Sequence, residues 1–341
     1  MIDPARETTP PHIIAPNAPH VLFILLRAMG DVLLATPAIR AFRKAHPTIL
    51  IDVLVEHIPA QPLRNNPDIS RIIISPNRGS SLREYLPIIQ QLQRYKYQSA
   101  IDFQSTPGSA LLAILTGAPE RVGFNRRMRS WAYTKAVDPV AELAYAPLPK
   151  FRLLEHFGVP LPSSLTEILP RLYPTDSAND SATIFLEKYN LNENHLLLGL
   201  APFCRRDWRM WPVAKWCELL TSFAKYNNAT WLLFAAPNER EALVEIEKCA
   251  GVNVIWVGMS DLLDAAALMQ KCRAVVSGEN GLLHLAVAAE VPTFSIFCGR
   301  DAPKQWVPAG IKNHTALDLR NDGIDINKNV ALELAEFVEA L

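Results

Sequence analysis

The chain has 341 residues, 49% of them apolar and 20% charged, with 34 basic side chains against 34 acidic ones. This composition is globular with ample core and excludes a disordered chain. A net charge of zero leaves no whole-molecule attraction for nucleic acid, and the length suits two domains.

The first stretch, "MIDPARETTPPHIIAPNAPH", is polar and proline-containing. It lacks the basic start and apolar middle of a signal peptide, and residues 1–18 are expected to form a flexible tail. No apolar run reaches the roughly 18 residues that a spanning helix needs. A cytoplasmic placement is the resulting expectation. "HVLFILLR" (20–27), "ILIDVLVE" (49–56), "SRIIIS" (70–75) and "QSAIDFQ" (98–104) are short apolar runs, with helix-like segments over 31–45 and 81–96 between them. Apolar strands alternating with helices predict a parallel sheet of βαβ units. The pattern weakens over 125–180, and a domain boundary is placed at the proline-containing stretch "LPSSLTEILPRLYPTDSANDSA".

A second alternation follows. "LLLGLAP" (196–202), "ATWLLFAA" (229–236), "VNVIWVG", "AVVSG" and "PTFSIFCG" are strands; "PVAKWCELLTSFAKY" (212–226), "NEREALVEIEKCA" (238–250) and "GLLHLAVAAE" are helical. The fold class is α/β, two Rossmann-like domains with parallel sheets over 19–170 and 171–325. A C-terminal helix over 326–341 is expected to pack back on the N-terminal domain. The five cysteines, Cys204, Cys217, Cys249, Cys272 and Cys298, contain no C-x-x-C pair. Reduced thiols are expected, with neither zinc site nor disulfide framework.

Three stretches carry chemistry. In "RAMGD", Gly30 allows a sharp turn and close approach to a ligand. Asp31 then stands at or near the N-cap of helix 31–45. It is either a cap or a carboxylate at a strand's carboxyl end that can act as a general base. In "SGENG", Gly278 and Gly281 bracket Glu279 and Asn280 before a helix beginning near Leu282, an arrangement suited to anions and sugar hydroxyls. His284 falls in that helix's first turn, where packing competes with a ligand role. In "CRRDWRMWP", Arg205, Arg206 and Arg209 interleave with Trp208 and Trp211, which suits a phosphate clamp or a solvated basic loop. Neither a G-x-G-x-x-G fingerprint nor a Walker loop is present.

Together these residues resemble the bacterial heptosyltransferases, the inverting glycosyltransferases of family 9. "ILLRAMGDVLLATPAIRAFRKAHP" is similar to the family's opening, and "AIDFQSTPGSALLAILTGAPERVGF" to a later N-domain segment. "RRDWRMWPVAKWCELL" resembles its basic-loop segment, and "VVSGENGLLHLAVAAEVPTFSIFCGRDAP" its second donor segment. The likeness runs over roughly residues 20–310. It implies the GT-B architecture, with acceptor in the N-terminal domain and nucleotide-sugar in the C-terminal one.

The resemblance further implies metal-independent, inverting transfer from ADP-L-glycero-D-manno-heptose to a Kdo or heptose of the lipopolysaccharide inner core, with no cofactor. Asp31 matches the family's general base. Arg209 stands where the family has a lysine at the donor phosphates, with Arg205 beside it, and Glu279 stands where it has an aspartate contacting the sugar. Gly281 and His284 match directly; Met259 matches a nucleotide-contacting methionine and Glu239 lies near a ribose-contacting glutamate. On the acceptor side Gly108 replaces a lysine, and Arg127 and Arg129 supply cations beside Gly30. The expected protein is a monomer in the cytoplasm, touching at most the periphery of the inner membrane's inner face. Two alternatives stay open: another donor sugar or acceptor on the same fold, or a nucleotide-binding protein without transferase activity.

Overall fold

The computed structural model describes residues 19–341 apart from 78, 127, 140–143, 226–227, 237–238, 250, 259–260, 309, 312 and 321–326. The chain divides into two compact units between Tyr173 and Pro174. In the N-terminal unit the strands are β1 (His20–Leu25), β2 (Leu50–Glu56), β3 (Arg71–Ser75), β4 (Ser99–Asp102), β5 (Glu120–Phe124) and β6 (Lys135–Val137). They form one parallel sheet in the order β3-β2-β1-β4-β5-β6.

The C-terminal unit repeats the plan with β7 (Leu196–Ala201), β8 (Ala229–Phe234), β9 (Asn253–Val257), β10 (Ala274–Ser277), β11 (Thr293–Phe297) and β12 (His314–Asp318). Its parallel sheet has the order β12-β11-β10-β7-β8-β9. Counted from the first strand of each unit, both orders are the doubly wound 3-2-1-4-5-6. The strand order reverses between β1 and β4 in one unit and between β7 and β10 in the other.

Parallel strands covered on both faces read as continuous apolar runs. Val21 to Leu25 of β1 and Val275 and Val276 of β10 are all buried. The expected helix 31–45 is divided. One helix runs Met29–Leu33 and the next Thr36–Ala45. Pro37 has no N–H for the Leu33 carbonyl and would crowd it, and the Thr36 hydroxyl donates to that carbonyl instead, at 2.8 Å.

The last helix, Asn327–Glu339, sends Val330, Ala331, Leu334, Ala335 and Val338 into the core of the C-terminal unit, with Trp216, Leu220 and Phe223. Their spacing of three and four makes one apolar face. One further expectation is corrected: not all five cysteines are reduced. Cys217 and Cys249 form a disulfide, Cα–Cα 5.6 Å, while Cys204, Cys272 and Cys298 are free. Their 32-residue separation carries no pairing signal; the packing of helix Val213–Phe223 beside helix Arg240–Glu247 brings them together.

Gly123 on β5 shows how tightly the N-terminal sheet is packed beside its edge strand. A Cβ there would lie 2.4 Å from the Tyr133 ring, which is held by a 2.8 Å hydrogen bond from its hydroxyl to Asp102. Gly123→Ala is expected to lower unfolding free energy by about 1–3 kcal/mol, the usual cost of overpacking. Denaturant titration measures it, and an unchanged midpoint would contradict this packing.

Candidate functional site

Ligands of doubly wound sheets bind outside the carboxyl ends of the strands where strand order reverses. All three sequence stretches singled out above lie at such positions. In the N-terminal unit, β1 runs into Arg27–Asp31 while β4 runs into Phe103–Thr106. The Leu26 N–H donates to Gln104 Oε1 at 2.8 Å, and Phe103 N–H to the Ile24 carbonyl at 3.3 Å, so the two loop roots are tied.

Asp31 lies inside the first turn of helix Met29–Leu33, whose N-cap is Ala28, with no side-chain cap bond. The capping role is therefore not what Asp31 does. Among the described residues no hydrogen bond or ion pair engages its carboxylate; Gly30 before it is buried. Lys150, on helix Leu148–Leu154, is buried and donates to the Ala146 carbonyl at 3.0 Å. Burial pulls its ammonium below the usual lysine range, Asp31's charge partly restores it, and Arg27 opposes it. Lys150 escaped the sequence reasoning because it sits in the weakly patterned 125–180 segment.

Asp102, at the end of β4, was also missed. It is fully buried and accepts from the N–H groups of Gln104 (3.0 Å) and Ser105 (2.9 Å) and from Tyr133. Desolvation raises its pKa, against the pull of these donors. Its work is to shape the loop after β4, where Ser105 takes a left-handed φ of 52°. Arg129 Nη1 donates to the Ser105 carbonyl at 3.1 Å, so this candidate acceptor residue does reach the same edge. Arg127 lies outside the described residues.

The C-terminal unit is locked in the same way. Asn280, the N-cap of helix Gly281–Ala288, accepts from Leu283 N–H at 3.1 Å. Its amide donates to the carbonyls of Ala201 (2.6 Å) and Phe203 (3.0 Å), joining the loop after β10 to the loop after β7. Gly278 permits the approach, since a Cβ there would stand 3.2 Å from the Pro202 carbonyl. Gly281 opens the helix, whose first N–H groups point to this edge.

Glu279, with 2% of its side chain exposed, faces Arg209 Nε at 3.8 Å and accepts from Gly299 N–H at 2.5 Å. Arg209 also pairs with Asp301 and lies over the Trp208 ring, 4.6 Å from its centre. Gly299 lets the two segments approach: a Cβ would sit 2.8 Å from both Glu279 carboxylate oxygens, so Glu279 would have to shift. Burial raises the Glu279 pKa, the Gly299 N–H and Arg209 lower it, and Asp301 raises it again. The Cys298 thiol beside it is pushed up to about 11, by burial first and then by Glu279.

The remaining candidates are placed as follows. Arg205 is exposed on the loop after β7. Glu239 follows β8 and accepts from the Ala236 N–H at 2.8 Å. His284 is buried, its ring 5.9 Å from that of Trp306. Trp211 packs edge-on against Trp216, centroids 4.9 Å apart, and is core. Met259 lies outside the described residues. Among the described residues no three His, Cys, Asp or Glu side chains group to hold a metal ion, and no helix is long and apolar enough to cross a membrane.

The family model of glycosyltransferase family 9 (heptosyltransferase) matches residues 85–330. Lipopolysaccharide heptosyltransferase 1 of Pseudomonas aeruginosa is 28% identical over 81% of this chain and 78% of its own. A family 9 glycosyl transferase from Veillonella parvula superimposes with a TM-score of 0.81 at 19% identity, covering 95% of this chain and 93% of that one. The E. coli heptosyltransferase WaaC, solved with ADP-2-deoxy-2-fluoro heptose, gives 0.67 at 22% identity over 94% and 99%. The protein is thus a glycosyltransferase built from two Rossmann-like units. It belongs to glycosyltransferase family 9, the heptosyltransferase family.

Glu279 supplies a pH test. An acid whose folded pKa is raised binds its proton more tightly when folded, so it lowers stability as pH climbs from its unfolded value, 4.5, through the raised one. Glu279→Gln is expected to be more stable than the natural protein above that window, and the difference is expected to fade below it. Thermal unfolding across pH measures this; a pH-independent difference would contradict the burial argument.

Proposed function

We propose that the enzyme transfers heptose from ADP-L-glycero-D-manno-heptose to an inner-core lipopolysaccharide acceptor, with inversion and without a metal ion. The observation that carries the reading is Asp31: a carboxylate at the strand-order reversal of the N-terminal sheet, not used as a helix cap. In the proposed step Asp31 takes the proton of the acceptor hydroxyl. That oxygen bonds to the anomeric carbon as the bond from this carbon to the diphosphate oxygen breaks, and the electron pair leaves with ADP. Lys150 is buried within the field of Asp31's charge.

On the donor side Arg209, with Arg205 and the N–H groups at Gly281, offsets the charge developing on the diphosphate. Glu279 accepts from a sugar hydroxyl, and its buried Oε2, which has no hydrogen bond among the described residues, is the atom suited to it. Glu239 and Met259 contribute to the nucleoside, Asn280 and His284 hold the loop and helix, and Gly30, Arg127 and Arg129 line the acceptor side. Support for the heptosyl donor comes from the family and from the WaaC structure, named with an ADP-heptose analogue. A lipopolysaccharide acceptor is lipid-anchored, so the reading includes peripheral contact with the inner face of the membrane by a monomeric, cytoplasmic enzyme.

Asp31→Asn tests the assignment. Transfer is expected to fall by at least about a hundredfold, the lower range for losing a general base, with donor affinity and melting temperature unchanged. Retained transfer would overturn the base role. A stability loss of about 1 kcal/mol, the typical value of an N-cap, would return Asp31 to a structural role.

A further inference from the structure

Arg209 is gripped by a loop that no sequence motif marked as chemical. Beyond β11 the chain runs through Cys298, Gly299, Arg300 and Asp301, and three of these four close on Arg209. The Cys298 thiol donates to the Arg209 carbonyl at 3.4 Å. Gly299 leaves room for the arginine stem, since a Cβ there would stand 3.0 Å from Arg209 Cγ. The Asp301 carboxylate pairs with Arg209 Nη2. Arg205 and Arg206, on the same loop as Arg209, are by contrast exposed.

The pairing engages one edge of the guanidinium. Nε and Nη2 present N–H groups on the same side of the planar fork. Glu279 Oε2 faces Nε at 3.8 Å, and Asp301 Oδ2 meets Nη2. The Trp208 ring lies against the guanidinium face, 4.6 Å from ring centre to the carbon. The other edge, Nη1 with the second N–H of Nη2, has no ion pair at Nη1 among the described residues. Ordering a free arginine costs rotamer entropy, and an arginine ordered in advance spares a ligand that cost. The two acids are not equivalent. Glu279 has 2% of its side chain exposed and is also held by the Gly299 N–H. Asp301 is 25% exposed, and Arg209 is the one ion-pair partner it has among the described residues.

We propose that Asp301 is a positioning residue for the donor: it holds the Nε–Nη2 edge of Arg209 so that the opposite edge meets the diphosphate oxygens. Asp301 acts through Arg209 and not on the donor itself. The inference rests on the function proposed above in one respect, that Arg209 is a diphosphate contact. A carboxylate beside a diphosphate also repels it. If that repulsion were all that Asp301 contributed, its removal would tighten donor binding, whereas removal of a positioning residue weakens it. The sign of the effect separates the two.

Calorimetric titration of the full chain and its variants with ADP tests it, beside transfer kinetics with ADP-heptose. Asp301→Ala is expected to bind ADP at least about tenfold more weakly, with kcat/KM for the donor falling alongside and the acceptor KM unchanged. Asp301→Asn keeps an oxygen acceptor at the same reach, and its ADP affinity is expected within about threefold of the natural chain's. In an Arg209→Ala background, Asp301→Ala is expected to cost nothing further, because a residue that acts through Arg209 has nothing left to act on. Damage to the fold would persist in that background. Unchanged or tighter ADP binding by Asp301→Ala overturns the proposal, as does an equal loss without Arg209 or a natural chain that binds no ADP. Heptosyl transfer with ADP binding indifferent to Asp301→Ala would overturn this inference and leave the function standing; ADP binding weakened through Arg209, without heptosyl transfer by the natural chain, would do the reverse.

Discussion

Everything at the two candidate edges depends on how a parallel sheet copes with the reversal of its strand order. At that point the loops leaving two neighbouring strands turn to opposite faces, and the backbone groups at their roots lose ladder partners. Buried and unpaired, such groups are costly. Here one amide side chain in each unit satisfies them. Gln104 accepts from the Leu26 N–H after β1, and Asn280 donates to Ala201 and Phe203 after β7. Each bond fixes the crevice walls within a few residues of a carboxylate for which a role is proposed, Asp31 in one unit and Glu279 in the other. Preorganisation of this kind is what an active site needs to hold reacting groups in place.

The same locks permit acids to be placed where burial opposes them. Asp102 is kept inside the N-terminal sheet by two backbone N–H groups and a phenol. Glu279 is kept inside the C-terminal one by Gly299 N–H and Arg209. Their roles differ. Asp102 has its acceptors filled and shapes a loop. Glu279 retains an oxygen without a hydrogen bond among the described residues, and Arg209 is shared between it and Asp301. An arginine held by two carboxylates is already oriented, and its planar fork suits a diphosphate.

Much of this was legible in the sequence. The runs that became β1, β2, β4, β7, β8 and β10 were apolar enough to announce a buried parallel sheet, and the turns after β1, β7 and β10 carried the charged residues that mark its carboxyl edge. What stayed hidden had physical reasons. β5, β6 and β12 are short or mix polar with apolar residues, as in "KAV" and "HTALD", so no periodicity betrays them. Pro37 broke a helix that the apolar pattern carried straight through. Lys150 and Asp102 looked like a stray charge in a loop-rich segment and an interruption in a strand, because their meaning comes from tertiary neighbours. The Cys217–Cys249 bridge joins helix Val213–Phe223 to the turn after helix Arg240–Glu247, a packing no spacing encodes.

The claim on which the account turns is that the C-terminal strand-order reversal binds an adenosine diphosphate sugar without help from a metal. Calorimetric titration of the protein in the presence of chelator with ADP-heptose, ADP, UDP and GDP tests this most directly. The account predicts that ADP-heptose binds tightest and ADP next, with UDP and GDP at least about tenfold weaker, a difference of about 1.4 kcal/mol. Binding that appears only when a divalent cation is restored, or that shows no preference for the adenine nucleotide, would contradict it.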